Sequence, residues 1–170
     1  NINIRSIHGS ILDKKVLGDT FSKFRPHVVL HAAAYKHVPM QELFPWNAVH
    51  TNIVGTKNLV EFSKQFEVER FVLVSTDKAV RPVNVMGATK RVAEQVIQSV
   101  DSGGKTVFLA VRFGNVIGSS GSVIPIFKKQ IEKGGPLTIT HPEMTRYFMS
   151  IPEASQLILQ AGAVGKQSQI

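Results

Sequence analysis

Short apolar runs alternate along this chain with longer stretches in which apolar residues recur every three or four positions. Three of the runs predict strands buried in a sheet, because each is short, apolar and rich in β-branched residues. They cover Val28–Ala33, Phe71–Ser75 and Thr106–Arg112. The stretches with helical spacing predict amphipathic helices, each with one apolar side. They cover about Pro45–Lys64, Gly87–Val100, Val123–Lys133 and Pro152–Ala163.

Glycine and proline residues mark the limits of several elements. Gly134–Pro136 is a strong stop signal, so the third predicted helix ends before it. The next segment, Leu137–Thr140, is predicted to form a short strand, and Lys36–Pro39 is predicted to lie in a loop. Within the first predicted helix, Gly55 would allow close packing on a neighbouring element, since glycine has no side chain.

The order of these elements predicts the fold class. Apolar strands that alternate with amphipathic helices favour an α/β fold with a mostly parallel sheet. Right-handed connections then place helices on both faces of the sheet. Ligands of such sheets bind beyond the carboxyl ends of the strands. The residues that follow the three predicted strands are therefore the candidates for a functional site.

The composition is that of one ordinary globular domain. The chain has 170 residues, of which 43% are hydrophobic and 19% charged. It contains no cysteine, which excludes disulfides and cysteine-ligated zinc and allows a reducing compartment. No apolar run approaches the roughly 20 residues needed to cross a bilayer, and the first residues lack the pattern of a signal peptide.

The formal net charge of +8 raises the question of nucleic-acid binding. The basic residues are scattered, with no run of five or more, and aromatic residues do not alternate with them. A basic surface that favours an anionic diphosphate ligand explains the charge equally well. Nucleic-acid binding therefore ranks last among the functions considered.

Small and ionisable residues follow the first two predicted strands. Ala32–Ala34 would let a flat ligand approach the backbone, although small residues also suit plain packing of a helix on a sheet, which alone would be favoured. Lys36 and His37 come next, where solvated side chains are the usual case. After the second strand, Asp77 and Lys78 place an acid beside a base, which suits proton transfer. An exposed ion pair in a turn is an equally good interpretation of these two residues.

Two further segments are suited to anions. Gly114–Ser122 is rich in glycine and hydroxyl groups and leads into the helix predicted at Val123, which is a weak signal for an anion cradle. Arg146 has a planar guanidinium that can bind a diphosphate through two hydrogen bonds. On the intervening helix, Lys90 lies one turn beyond Met86, so both side chains share one face.

Six motifs follow one another in a fixed order: His31–Pro39, Thr51–Thr56, Ser75–Ala79, Pro82–Lys90, Arg112–Val116 and Gly121–Pro125. Each is modestly specific alone, but the ordered set closely resembles the polysaccharide-biosynthesis (CapD-like) family of nucleotide-sugar 4,6-dehydratases. This family belongs to the extended short-chain dehydrogenases/reductases (SDRs). The likeness runs from about Gly9 to the C-terminus. Met86 stands where short-chain dehydrogenases have a tyrosine, so the chain is most similar to the long, membrane-anchored, configuration-retaining UDP-N-acetylglucosamine 4,6-dehydratases.

The resemblance implies a Rossmann-like, doubly wound parallel sheet that is truncated at both ends, with part of a small C-terminal substrate-binding region. Residues 1–115 are expected to form a partial NAD(P)-binding domain without its first βαβ unit. Residues 116–170 are expected to form a partial substrate-binding region interleaved with the core. The glycine-rich phosphate loop that opens such folds is absent, so we expect weaker cofactor binding and little turnover from this segment alone.

The resemblance also implies an internal redox cycle with NAD or NADP. Hydride leaves C4 of the sugar, a base removes the C5 proton, water leaves C6, and the hydride returns to C6. The product would be a UDP-4-keto-6-deoxy sugar for surface polysaccharide, capsule or O-antigen. The segment is expected to be cytoplasmic, either as a free protein or as the cytoplasmic domain of a bacterial inner-membrane protein. It is also expected to form a homo-oligomer.

Roles carried over from the family fall on particular residues. Asp77 is the candidate acid for the C6 hydroxyl and Lys78 the candidate base at C5, with Lys36 in second rank. Because the Met86 thioether has no exchangeable proton, Asp77 or a water chain would take the C4 hydroxyl proton while Thr76 holds that hydroxyl. The cofactor would contact Ala32, Ala33, Ala34, Lys36, Asn52, Ser75, Lys90 and Phe113. The UDP-sugar would contact Asn115, Ser122, Val123 and Arg146, and no metal site is expected.

Two other functions remain open at this point. A nucleotide-sugar 4-epimerase or reductase of the same fold would use the same cofactor, but it needs no acid at C6. A catalytically silent module that binds a nucleotide sugar would also explain Met86, since a degenerate site would lose its tyrosine. The presence of Asp77, Lys78 and Lys90 together argues against decay of the site.

Overall fold

A computed structural model describes residues 2–100, 103–119, 123–139 and 141–170. The strands are β1 (Val28–His31), β2 (Arg70–Thr76), β3 (Val107–Phe113), β4 (Asn115–Val116) and β5 (Phe148–Met149). The helices are α1 (Lys14–Phe24), α2 (Val38–Leu43), α3 (Pro45–Ala48), α4 (Gly55–Gln65), α5 (Val85–Gln98), α6 (Val123–Glu132) and α7 (Ile151–Val164). A π-helical segment, Val49–Val54, joins α3 to α4, and a 3-10 turn, Asp77–Ala79, follows β2.

The main sheet is parallel, with the order β1-β2-β3. Side chains of a strand point alternately to the two faces of the sheet, and both faces are covered. On one face, Phe71, Leu73 and Phe108 form a buried core with residues of α1, α4 and α5. On the other face α7 packs on β2 and β3, with Gly162 against Val72 and Gly165 against Leu109. The predicted Rossmann-like, doubly wound parallel sheet is confirmed.

Residues near the C-terminus of the chain contribute to this sheet. The backbone N–H of Ser168 donates to the carbonyl of Phe108 at 2.8 Å, and the N–H of Ala110 donates to the carbonyl of Gln169 at 2.9 Å. Helix α7 packs on β2 and β3, and these residues hydrogen-bond to β3, although they follow residue 115. The proposed division of the chain at 115/116 stays a prediction.

Several elements differ from their predicted form. The first strand was expected to be buried over Val28–Ala33, but it ends at His31, and Val28 and Leu30 are 49% and 47% exposed. The reason is that β1 lies at one edge of the described sheet, so that only part of its surface is covered. The prediction of a loop over Lys36–Pro39 holds only as far as residue 37. Helix α2 begins at Val38, and Pro39 lies in its first turn, where proline is favoured.

The predicted helix over Pro45–Lys64 forms, but it is not a uniform α-helix because it contains the π-helical segment. Its Gly55 lies against Ile11, so the expected close packing at this glycine is confirmed. The strand predicted at Leu137–Thr140 is wrong for its described residues, 137–139. The strand that forms is β5, which pairs in parallel with β4 through Asn115–Phe148 and Val116–Met149. Sequence periodicity also missed α1, whose start is capped by the Asp13 carboxylate.

No helix in the described part of the chain has both the length and the apolar character needed to span a membrane.

Candidate active site

A cleft of about 670 Å³ opens beyond the carboxyl ends of the three parallel strands. The residues predicted for the site that line it are Ala32, Ala34, Lys36, Ser75, Thr76, Lys78, Met86, Lys90, Phe113, Asn115, Val123 and Arg146. Three other predicted residues, Ala33, Asn52 and Asp77, are not in its lining. Ser122 lies outside the described residues.

Asp77 and Lys78 form an ion pair on the 3-10 turn that follows β2. The Lys78 Nζ donates to Asp77 Oδ1 at 3.0 Å, and the hydroxyl of Thr76 donates to the same oxygen at 3.0 Å. The Lys78 Nζ also reaches Asn115 Oδ1 at 3.4 Å. Burial raises the pKa of Asp77, but the hydrogen bonds from Lys78 and Thr76 outweigh it and hold the pKa below its ordinary value. Asp77 is therefore a carboxylate at neutral pH.

This pair is only partly open to solvent. The exposed fractions of the two side chains are 29% for Lys78 and 37% for Asp77. Lys78 extends into the cleft, while Asp77 stands beside it. A purely surface ion pair, the alternative drawn from the sequence, would leave both groups outside any cavity. The position of Lys78 agrees better with a chemical role.

Met86 and Lys90 lie one turn apart on α5 and both line the cleft, with exposed fractions of only 4% and 6%. The Lys90 Nζ donates to the backbone carbonyl of Val74 at 2.7 Å. Burial lowers the pKa of Lys90 to about 8, and the negative charge of Glu94 opposes that effect. Near neutral pH the cleft therefore contains a buried ammonium group beside a thioether.

The start of α5 is fixed by two side chains. Asn84 is the N-cap residue and accepts from the N–H of Gly87 at 2.7 Å. The Glu42 carboxylate on α2 accepts from the N–H of Val85 at 2.7 Å. These bonds satisfy N–H groups that have no partner inside the helix. They hold the first turn of α5, which carries Met86, against α2.

Asn52 anchors the segment that follows β1. It lies in the π-helical segment and is 1% exposed. Its Oδ1 accepts from the N–H of Tyr35 at 2.8 Å, and its Nδ2 donates to the carbonyl of Tyr35 at 3.1 Å and to Thr89 Oγ1 at 3.0 Å. Asn52 thereby ties the loop that carries Lys36 to α5. Its predicted contact with a cofactor stays a prediction.

His31, at the end of β1, is a buried group to which the sequence assigned no role. Its Nε2 lies 2.9 Å from Thr56 Oγ1, and the Thr56 hydroxyl donates to the carbonyl of Asn52 at 2.6 Å. Because Thr56 uses its proton in that bond, His31 Nε2 is the donor to Thr56. Burial, with a smaller contribution from the charge of Lys90, lowers the pKa of His31 to about 3. His31 is therefore neutral at physiological pH.

Sequence reasoning also missed a buried ion pair. Glu94 on α5 is 0% exposed, and Arg112 on β3 donates to both of its oxygens. The signal was present in the sequence, because Glu94 stands between Ala93 and Ile97 on the apolar side of a predicted helix. A carboxylate in that position is buried, and a buried charge needs partners.

The remaining wall of the cleft comes from β4, the start of α6 and the segment before β5. Asn115 and Val123 line it together with Arg146, which is exposed. A β-carbon at Gly114 would lie 2.9 Å from the carbonyl oxygen of Tyr147, so glycine allows these two segments to touch. The glycine-rich segment predicted as an anion cradle thus contributes a close backbone contact at this wall.

The charge of the cleft is one-sided. None of its described lining residues is an aspartate or glutamate. Four basic side chains line it, those of Lys36, Lys78, Lys90 and Arg146. Asp77, the carboxylate between the lining residues Thr76 and Lys78, is paired with Lys78. Clefts of one sign concentrate ligands of the opposite charge, so this cleft favours an anion such as a diphosphate.

The sequence of this chain is similar to those of several known proteins. The sequence profile of a family described as "Polysaccharide biosynthesis protein" matches residues 1–170. The chain is 59% identical over 161 residues to "Capsular polysaccharide biosynthesis protein CapD" of Staphylococcus aureus, covering 94% of this chain and 27% of that protein. It is 43% identical over 145 residues to "UDP-glucose 4-epimerase" of Rickettsia rickettsii, covering 84% of this chain and 42% of that protein.

Among solved structures, the fold is similar to a double mutant of DesIV, a dTDP-glucose 4,6-dehydratase from Streptomyces venezuelae crystallised with NAD. The TM-score is 0.87 at 21% identity, and the match covers 96% of this chain and 56% of that one. At this identity the likeness establishes the fold alone. The chain spans between about a quarter and a little over half of the proteins it matches.

Proposed function

Because the chain belongs to the family of polysaccharide biosynthesis proteins, we propose that it forms part of a nucleotide-sugar 4,6-dehydratase. The proposed substrate is UDP-N-acetylglucosamine, and the proposed product is a UDP-4-keto-6-deoxy sugar used for surface polysaccharide. One observation carries this proposal. The Asp77 carboxylate accepts hydrogen bonds from both Thr76 and Lys78 at the end of β2, and this pair beside the cleft supports the roles proposed for Asp77 and Lys78.

The proposed cofactor is NAD or NADP, and the residues of the cleft fit such a group. Ala32 and Ala34 have no side-chain atoms beyond Cβ, so a flat ring system can lie against the end of β1. The buried ammonium of Lys90 can donate to ribose hydroxyls from one turn beyond Met86. The NAD found in the related fold of DesIV supports this choice. When bound, the nicotinamide would accept a hydride from C4 of the sugar and return it to C6.

Asp77 is proposed to handle two protons in turn. In the free protein it is a carboxylate, so it can accept the proton of the C4 hydroxyl as that carbon is oxidised. It then gives this proton to the C6 hydroxyl, which leaves as water. Met86 cannot take part, because a thioether has no proton to exchange. A single carboxylate would thus replace the phenol of related enzymes and also serve as the acid.

Lys78 is the proposed base at C5. It must be a neutral amine to remove that proton, and it donates to Asp77 in the free protein. Transfer of the C4 proton to Asp77 cancels the carboxylate charge next to Lys78, which favours release of the Lys78 proton to solvent and leaves the neutral amine. Lys78 then returns its proton to C5 after water has left C6. Asp77 is then a carboxylate again, and the Lys78 amine takes a proton back from solvent, so that both residues end in the state in which they began.

The nucleotide is proposed to bind along the wall formed by β4, α6 and the segment before β5. Arg146 and the other basic residues of the cleft suit the diphosphate. Asn115 and Val123 would contact the rest of the UDP-sugar, and Ser122 is proposed for the same contact from its position in the sequence.

A 4-epimerase is the second candidate function, and one observation favours it. The Rickettsia rickettsii relative named as a UDP-glucose 4-epimerase is 43% identical to this chain. An epimerase moves hydride at C4 and needs a base there, but it needs no acid at C6. The two functions therefore differ in whether the C6 hydroxyl is lost.

The decisive experiment is product analysis with the full-length protein and UDP-N-acetylglucosamine. Mass spectrometry would detect the loss of one water, and NMR would detect a new C6 methyl group. A 4-keto-6-deoxy product with retained C5 configuration supports the proposal. An unchanged mass with inversion at C4 makes the protein an epimerase, and no reaction despite nucleotide-sugar binding makes it a binding module.

A further inference from the structure

Glu94 is a carboxylate that lies entirely inside the protein and is hydrogen-bonded to Ser75, a residue in the lining of the cleft. The Nε and Nη2 of Arg112 donate to its two oxygens at 2.8 and 2.7 Å. The Ser75 hydroxyl donates to one oxygen at 2.6 Å and Arg91 Nη1 to the other at 3.1 Å. Each oxygen therefore accepts two hydrogen bonds, which compensates for the burial of the charge.

These bonds join three elements at the edge of the cleft. Ser75 is the next-to-last residue of β2, directly before Thr76, and Arg112 is the next-to-last residue of β3, directly before Phe113. The two are opposite each other in the sheet register. Glu94 on α5 thus holds facing residues of two strands at the point where both strands enter the cleft.

Lys90 lies one turn before Glu94 on the same helix. In the part of the chain that the structure describes, it forms no ion pair and donates only to the Val74 carbonyl. The titratable and charged groups around it are His31 on β1, Glu94 with its arginines, and the basic residues of the cleft. Among these groups Glu94 carries the negative charge, which raises the pKa of Lys90, and the remaining groups are neutral or basic.

We propose that Glu94 is a positioning residue for this cleft. It fixes the ends of β2 and β3 through Ser75 and Arg112, and its charge keeps Lys90 in the ammonium form that donates to the cofactor. The inference rests on the cofactor binding in the proposed function, but not on the reaction that follows. Without the charge of Glu94, only neutral and basic groups surround Lys90, so it loses its proton at lower pH.

The test is the affinity of the full-length protein for NAD⁺ and NADP⁺, measured by calorimetry between about pH 6.5 and 9.5. In the wild-type protein, affinity should fall as pH rises through the pKa of Lys90, near 8. In Lys90→Met this pH dependence should disappear, which assigns the titration. In Glu94→Gln the midpoint should move down by about one pH unit. The matched control Glu61→Gln, at an exposed carboxylate paired with Lys14, should keep the wild-type midpoint.

A second variant covers the case in which Glu94→Gln does not fold. Arg91→Gln removes a partly exposed partner of Glu94 and leaves more of its negative charge to act on Lys90. Its midpoint should therefore move up, opposite to that of Glu94→Gln. The inference would be overturned if the midpoint of the pH dependence stayed at its wild-type value in both variants. If Glu94→Gln fails to fold, a wild-type midpoint in Arg91→Gln alone would overturn it. If the wild-type protein binds neither nucleotide at any pH, the proposed function fails and the inference fails with it.

Discussion

A β-carbon at Gly87 would lie 2.6 Å from the carbonyl oxygen of Lys78, closer than such atoms approach in folded proteins. The start of α5 thus packs directly on the backbone of the turn that carries Asp77 and Lys78. This contact sets the distance between the turn with the acid and base and the helix with Met86 and Lys90.

Substitution of Gly87 by alanine should separate these two elements. We expect Gly87→Ala to lower turnover by at least about tenfold, because small displacements of reacting groups have large effects on rate. The midpoint of thermal unfolding should fall by several degrees. Gly162→Ala is the control, since its new β-carbon would meet Val72 at an ordinary 3.4 Å. Equal activity of the two variants would contradict the proposed role of the contact.

Substitution of Asp77 by asparagine should remove both proposed proton transfers. We expect Asp77→Asn to lower the rate of product formation by about a hundredfold or more, with little change in stability because the side chain is partly exposed. The measurement is formation of the 4-keto-6-deoxy sugar under saturating substrate. Asp19→Asn, at an exposed carboxylate paired with Lys15, is the control and should retain wild-type activity. Near-normal turnover in Asp77→Asn would refute the assignment.

A tyrosine at position 86 should restore part of what Asp77→Asn removes. The phenol would lie one turn from Lys90, where it can take the C4 proton. In the double variant Asp77→Asn with Met86→Tyr, we expect absorbance of the reduced nicotinamide to appear while loss of water from C6 stays slow. Packing a larger ring at this buried position should destabilise the protein by about 1–3 kcal/mol. Absence of any reduced nicotinamide would show that the C4 proton follows another route.

Replacement of Lys90 should make the protein more stable and less functional. Its pKa is about 8 in the folded state against an ordinary 10.5. The folded state therefore holds the proton less tightly than the unfolded state, and stability rises with pH between these two values. We expect Lys90→Met to raise the free energy of unfolding at pH 7 by up to about 3 kcal/mol. In this variant the increase of stability with pH between about 8 and 10.5 should be absent. Urea unfolding at several pH values would test this. Destabilisation at pH 7 would contradict it.

His31 should make stability fall in mild acid. Its pKa is lowered to about 3 from an ordinary 6.5, so only the unfolded state takes up the proton between these values. Stability should therefore decrease as pH falls below about 6.5, with a slope of at most about 1.4 kcal/mol per pH unit from this group. The His31→Gln variant keeps a donor for Thr56 and should show a shallower decrease. Identical slopes in urea unfolding between about pH 7 and 5 would rule out this role for His31.

Several of the regular elements follow closely from the sequence. The strands β2 and β3 and the helices α5, α6 and α7 lie within about two residues of their predicted limits, because strong apolar periodicity and clear stop signals coincide there. The rule that ligand sites lie beyond strand ends also located the cleft.

The parts that sequence reasoning missed depend on contacts between distant residues. The π-helical segment has no local signal, and its Asn52 bonds to Tyr35 and Thr89, which are far away in sequence. The pairing of β4 with β5 likewise joins segments more than thirty residues apart. The bonds from Arg112 to Glu94 link different elements. Periodicity reports only which side of an element is apolar, so it cannot reveal such partners.

The position of Asp77 and Lys78 on one 3-10 turn also bears on stereochemistry. Their charged atoms lie 3.0 Å apart on the turn that Thr76 caps, with Lys78 in the lining of the cleft and Asp77 beside it. A sugar bound there would meet its acid and its base from one direction. If Asp77 and Lys78 act as proposed, the C5 hydrogen and the C6 oxygen would depart from the same face of the bond between them, in a syn elimination.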